Sequence, residues 1–168
     1  MNRPQLELLT ADNLPDLLEA AVTNAHPLEV MPPVPGPEGW NDTRRQAFRK
    51  FHLARSIDTP APIETTYIIR LDGQAIGAGR LEPSTDGSNS AEAGIWIGRS
   101  HRGQGVGRSV LADLVELARE AGATSVIGST TSDNAASRRL LEGIGATMTA
   151  AGDAVHGHVD IVGPRSHL

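Results

Sequence analysis

Residues 95–108 read IWIGRSHRGQGVGR, and they commit this part of the chain to one local structure. Residues 93–98 are apolar, with a Trp and two Ile, as suits a buried strand. Glycines follow at 103, 105 and 107. From Val106 the apolar positions 110, 111, 114, 115, 117 and 118 recur with the period of a helix packed on one face, and Gly122 is placed to end it. The unit is strand, glycine turn, helix.

Glycines allow positive φ in such a turn and let a ligand approach without meeting a Cβ. The first N–H groups of the helix are left free to face an anion. Arg108 sits in the first helical turn, where a cation opposes the helix dipole by about 0.3–1 kcal/mol. Arg99, His101 and Arg102 lie just upstream. Cations gathered where the fold alone disfavours them point to an anionic visitor; the plainer alternative is a solvated arginine cluster on a tight loop. The dinucleotide pattern G-x-G-x-x-G fails, because its third glycine falls on Arg108 or Val110. The Walker pattern fails because Lys50 is the sole lysine.

What remains is Arg-x-x-Gly-x-Gly at the head of a helix, and it resembles the pyrophosphate-binding loop of the GNAT superfamily of acetyl-CoA-dependent N-acyltransferases. The resemblance runs through the helix to about Ala121, a strand over 124–129 and a segment over 133–146 that resembles the family's second cofactor-side helix. It is strongest over residues 91–146. It implies an α+β fold: a twisted, mostly antiparallel sheet of six to seven strands, helices on both faces and one splayed parallel pair. It also implies that acetyl-CoA is the acetyl donor. Its contacts would come from the backbone of Ile95, Trp96 and Ile97, from Arg102, Gly103, Gln104, Gly105, Val106, Gly107 and Arg108, and from Asn134 and Ser137.

Composition sets outer limits. The chain of 168 residues, 39% hydrophobic and 21% charged, is expected to be a single domain over 1–168 with an ordinary core. A net charge of −5 argues against a nucleic-acid surface. No stretch approaches a membrane span, and the first residues carry no apolar targeting segment, so a cytoplasmic location is the expectation. The absence of cysteine excludes disulfides, thiolate metal sites and a Cys acyl-enzyme. No metal is expected, and a homodimer is compatible with the sequence.

Elsewhere the pattern predicts a strand over 5–9 and a helix capped by Thr10 or Asp12 and carrying Leu14, Leu17, Leu18, Ala21 and Val22. Residues 26–40 hold five prolines and two glycines and are read as neither helix nor central strand. A second helix begins at Asp42 or Thr43. Strands over 64–71 and 74–81 flank an Asp72-Gly73 hairpin turn, and two last strands lie over 147–150 and 156–162.

Acyl transfer to an amine needs a base, a polarised carbonyl and a proton for the leaving thiolate. Without cysteine, direct attack in a ternary complex is the natural route. Glu92, acting through water, is the first candidate base and Glu82 the second; for each the alternative is a solvated strand-end carboxylate. Many relatives place a Tyr late in the second cofactor-side helix, where this chain has Leu141, so the acid is unassigned. Asn134 reads both as a cofactor contact and as a helix cap. His156 and His158 share a strand face but lack a third metal ligand, and are read as surface or acceptor-side residues. Glu29, Glu38, Asp42 and Glu64, with the Trp40 indole near the cleft mouth, suggest a cationic amine or peptide N-terminus as acceptor; the alternative is that the acids are ordinary surface charge and Trp40 is packed in the core. The reading is an N-acetyltransferase; the alternative is a catalytically silent acyl-CoA-binding module or sensor.

Overall fold

The computed structural model describes residues 2–161. Strand β1 (Gln5–Leu8) is followed by helices α1 (Leu14–Asn24), α2 (Pro27–Val30) and α3 (Asp42–His52). Strands β2 (Thr65–Leu71), β3 (Gln74–Pro83) and β4 (Ser90–Ile97) come next, then helix α4 (Val106–Glu120). Strand β5 (Ser125–Thr131), helix α5 (Ala135–Gly143), and strands β6 (Thr147–Ala151) and β7 (Ala154–Asp160) complete the set. The seven strands form one sheet in the order β1-β2-β3-β4-β5-β7-β6. Every pairing is antiparallel except β4 with β5. This is the α+β architecture that the sequence implies.

Two cores form because strand residues alternate between faces. Ile68, Ala78 and Trp96 pack with α1, α2 and Phe48 of α3 on one face. Ile69, Ile76, Leu81 and Val126 pack with Val106, Val110 and Leu114 of α4 on the other. The Asp72-Gly73 turn has φ of 51° and 81°, as a type I′ hairpin requires. Gly122, with φ of 92°, follows α4.

Three expectations need correction. The N-cap of α1 is Asn13, not Thr10 or Asp12; its Oδ1 accepts from the Thr10 N–H at 2.7 Å, so the two residues close a turn before the helix. The proline-rich stretch contains a helical turn, α2. His26 Nδ1 accepts from the Leu28 N–H at 3.3 Å, and Glu29 reaches back to the His26 N–H at 2.8 Å, a capping box with histidine in the usual Ser/Thr role. The rest of the loop is ordered by buried Arg44, whose guanidinium donates to the carbonyls of Val34, Gly36, Pro37 and Gly39. Finally, Trp40 does not line the cleft, and the alternative reading of it as a core residue is the one that holds. It packs on the first core, edge-on to Phe48, and donates its indole N–H to the Ala25 carbonyl at 2.9 Å.

β3 and β4 approach so closely at Gly77 that a Cβ there would lie 2.2 Å from the Trp96 carbonyl oxygen. Gly77→Ala should therefore destabilise the protein by about 3 kcal/mol, the upper part of the range for overpacking. Denaturant unfolding measures this; a loss below about 0.5 kcal/mol, the scatter expected of surface changes, would show that the hairpin yields freely.

Candidate active site

The parallel strands β4 and β5 pair over only three positions: Ser90 with Ser125, Ala91 with Val126 and Glu92 with Ile127. Beyond Glu92 the strands diverge. The remaining residues of β4 stay paired to β3, while β5 continues along β7 to Thr131. Among the described residues, the facing edges of β4 at 93–97 and of β5 past Ile127 have no strand partner. A cleft of about 400 Å³ opens there, lined on β4 by Glu92 and residues 93–96, and on β5 by Ser129. Residues of α2, the end of α3, and Glu64, Thr66, Gly79 and Arg80 form its other walls.

At the carboxyl ends of these strands lies the glycine turn. Arg99–His101 makes a single 3-10 turn, Gly103 and Gly105 take φ of 75° and 81°, and α4 starts at Val106 with no side-chain cap. The first N–H groups of α4 are therefore available to an anion. Arg108 is exposed and has no ion-pair partner among the described residues. Arg102 is engaged: its Nε donates to the Ile97 carbonyl at 2.8 Å and its guanidinium to Glu29 at 3.2 Å, tying the turn to α2. Gln104 bonds the Ser100 carbonyl at 3.3 Å. Gly107 faces inward instead; a Cβ there would stand 3.2 Å from Leu140 and 3.3 Å from Ile97. Asn134 and Ser137 open α5, with Asn134 Oδ1 accepting from the Ser137 N–H at 3.1 Å, so the cap reading of Asn134 holds. These residues fit an extended anion carrying an amide-bearing arm: free N–H groups at the turn, Arg99 and Arg108 exposed there with no ion pair among the described residues, and open backbone between the strands.

The two candidate bases, Glu82 and Glu92, are direct cross-strand partners on β3 and β4. Like charges in that position repel, and two arginines resolve it. Arg80 donates to Glu92 at 3.0 Å, Glu82 at 3.1 Å and Glu64 at 3.5 Å. Arg55, in the π-helical turn Leu53–Ile57, reaches Glu64 at 3.2 Å and Glu82 at 3.4 Å. A Cβ on Gly94 would lie 2.7 Å from Arg80 Nε, so glycine there lets the guanidinium cross β4. Three carboxylates against two guanidiniums leave one excess negative charge. Glu92 lines the cleft and is half-exposed, whereas Glu82 stands outside the lining. Of the acids expected on the acceptor side, Glu29 and Glu64 line the cleft, and Glu38 and Asp42 do not.

His52, missed in the sequence, forms part of the wall. It is 4% exposed, edge-on to the rings of Phe48 and Phe51, and neither ring nitrogen has a hydrogen-bond partner among the described residues. Burial lowers its pKa from 6.5 to about 4, with Glu64 opposing and Arg55 adding to the shift. The imidazole is neutral at pH 7. Its signal in the sequence was only a polar residue on the apolar face of α3. Arg55, Arg80 and Ser129 were missed too, because only the strand register brings them to the cleft.

Comparisons agree with this geometry. The sequence profile of a family described as acetyltransferase (GNAT) domain matches residues 3–147. The L-methionine sulfoximine/L-methionine sulfone acetyltransferase of Salmonella typhimurium is 36% identical over 61 residues, which span about a third (36%) of each protein. Among solved structures, the GNAT domain of S. lividans PAT superposes with a TM-score of 0.71 at 16% identity, over 94% of this chain and 90% of that one. The ribosomal L7/L12 alpha-N-protein acetyltransferase in complex with coenzyme A gives 0.69 at 16%, over 96% of each. The yncA protein of Salmonella typhimurium with its cofactor acetyl-CoA gives 0.63 at 19%, over 98% of each.

The depressed His52 value sets a pH dependence. Below pH 6.5 the unfolded chain takes up a proton that the folded chain refuses until about pH 4, so stability falls as pH falls through that window. The loss should reach at most about 3 kcal/mol. Unfolding free energies of wild type and His52→Asn between pH 7 and 4 should converge as pH falls; parallel curves would mean that His52 is charged in the fold.

Proposed function

The chain belongs to the GNAT acetyltransferase family, and we propose that it moves the acetyl group of acetyl-CoA to a primary amine of a small molecule or peptide N-terminus by direct attack in a ternary complex. The observation that carries this reading is the divergence of β4 and β5 beyond Glu92, which joins the anion-accepting turn to a carboxylate-bearing pocket. We read residues 1–168 as a single GNAT-like domain. Acetyl-CoA supplies an activated thioester carbonyl. The chain supplies its placement. The pyrophosphate rests on the backbone of Gly103, Gln104, Gly105, Val106, Gly107 and Arg108, and Asn134 and Ser137 contribute from α5. Arg108 is the leading cation, since Arg102 already holds Glu29 and Ile97. The backbone of Ile95, Trp96 and Ile97 offers the pantetheine arm the edge of β4 that faces the gap, as for an added strand, with the Ile97 carbonyl already held by Arg102. Their N–H groups also polarise the carbonyl.

Glu92 takes the amine proton, directly or through water. Its place in the lining favours it over Glu82. The excess negative charge of the Glu64–Glu82–Glu92–Arg55–Arg80 cluster favours an acceptor that arrives as an ammonium ion. A 400 Å³ cleft is at the small-ligand end of binding sites. Trp40, packed in the core, plays no part in this selection.

Thiol release from acetyl-CoA across a panel of amino acids and their sulfone analogues, polyamines, aminoglycosides and N-terminal peptides tests the activity. Tight binding of acetyl-CoA with no turnover of any amine would identify an acyl-CoA-binding module instead. On the cofactor side, Gly105→Val and Arg108→Glu should each weaken acetyl-CoA binding about tenfold or more, about 1.4 kcal/mol. Calorimetry reads this, and unchanged affinity in both variants removes the turn from the site. On the acceptor side, Glu92→Gln should lower kcat by ~10²–10⁴-fold with acetyl-CoA affinity nearly intact. A rate within about threefold of wild type, far below that range, would pass the role to Glu82 or to water alone.

A further inference from the structure

Strand register brings together a second pair of side chains at the cleft. Ser129 on β5 and His156 on β7 are direct cross-strand partners, and Ser129 Oγ lies 2.8 Å from His156 Nδ1. Ser129 is two residues beyond Ile127, the last β5 residue paired to β4, so it stands in the diverging part of the gap. It lines the same cleft as Gly94, Ile95 and Trp96 across that gap. His156 is exposed, faces Thr149 on β6, and has His158 as its neighbour on the same strand face.

The proposed reaction, on which this inference rests, expels a thiolate between these strands. A free thiol titrates near about 8.5, so at neutral pH the sulfur is more stable with a proton. On α5, Leu141 is aliphatic and buried, and Ser137, at the start of the helix, stands outside the cleft lining. Tyr67 belongs to the core on the α4 face, away from the cleft lining. Of the uncharged proton-bearing side chains in the lining, Thr66 is buried beside Glu64, and His52 lies in the α3 wall. On the β5 side of the gap the lining offers Ser129.

We propose that Ser129 is the catalytic proton donor to the departing thiolate and that His156 is the positioning residue that recharges it. The amine lone pair forms the C–N bond, and the C–S bonding pair goes to sulfur. Sulfur takes the Ser129 hydroxyl proton while Oγ takes the Nδ1 proton of His156, and His156 Nε2 takes one from water. The proton the amine releases to solvent by way of Glu92 balances that uptake. The exposure of His156 serves this exchange, and its bond to Oγ fixes which way the hydroxyl points.

The test is steady-state kinetics with acetyl-CoA and an amine that the wild-type enzyme acetylates. Ser129→Ala and His156→Ala should each lower kcat on the order of 10²-fold, the lower end of general acid–base effects. The Michaelis constants for acetyl-CoA and amine should stay within about twofold, since general acid catalysis acts on the transition state rather than on binding. The double variant should be no slower than the slower single one, because the two residues act as a unit. Ser129→Thr, which keeps a hydroxyl, should retain most of the rate. The solvent deuterium effect on kcat should show more than one proton in flight in wild type and fewer in His156→Ala. A Ser129→Ala enzyme at the wild-type rate, additive losses, or a rise in the acetyl-CoA Michaelis constant at unchanged kcat would overturn the assignment while leaving acetyl transfer itself standing. Wild-type protein that binds acetyl-CoA and acetylates nothing would overturn both.

Discussion

The cleft exists because each of the two parallel strands is held more fully by its outer neighbour than by the other. β4 has seven antiparallel pairs with β3, and β5 has seven with β7, against three between them. Each antiparallel half twists in its own right-handed sense. The halves share a seam only where Ser90–Glu92 meets Ser125–Ile127, and they part as they twist. An open edge inside a sheet leaves backbone donors and acceptors wanting partners, which a protein normally covers. Here the edge opens into the cleft, and the proposed pairing with an amide-bearing ligand arm answers that want.

The charges on the acceptor side are an answer to a problem the same sheet creates. Antiparallel register sets Glu82 against Glu92, and Glu64 is buried with its side chain 1% exposed. A buried carboxylate without a partner is strongly destabilising, so removal of Arg80 or Arg55 would do more harm than loss of a surface ion pair. The cluster is also what carries the proposal of a cationic acceptor: the arginines are already committed, and the balance is negative. His52 sits beside this cluster with two unmet ring nitrogens. Buried polar atoms of that kind are costly, which marks this wall as a place where an acceptor or a bound water gains contacts.

What the sequence made legible was local. The glycine turn, the apolar stripe of α4, the Asp72-Gly73 hairpin and the Asn134 cap each depend on residues a few positions apart, and each was found at the expected place. Resemblance carried the sheet's character, mostly antiparallel with one splayed parallel pair, but not its strand order. What stayed hidden depends on register between distant strands or on one side chain reaching several carbonyls. Arg80 over Gly94, Ser129 beside His156 and Arg44 inside the proline-rich loop have no periodic signal. Trp40 was placed at the cleft mouth because its neighbours are prolines and acids, yet an indole buries more apolar surface than any of them, and it went to Phe48 and Ala25. The helical turn α2 was hidden because histidine, rather than serine or threonine, caps it.

Leu141 fills a socket floored by two glycines. A Cβ on Gly128 would stand 2.5 Å from its side chain, and one on Gly157 3.0 Å. The socket is cut to the leucine, and α5 is seated against β5 and β7 through it. A ring at 141 has no room unless α5 lifts, and a methyl at 128 or 157 has none unless the Leu141 side chain moves aside. The constraint is one-sided: the two glycines have nothing left to give up, so extra volume at 141 can be met only by movement of the α5 backbone, and never by a further change at 128 or 157.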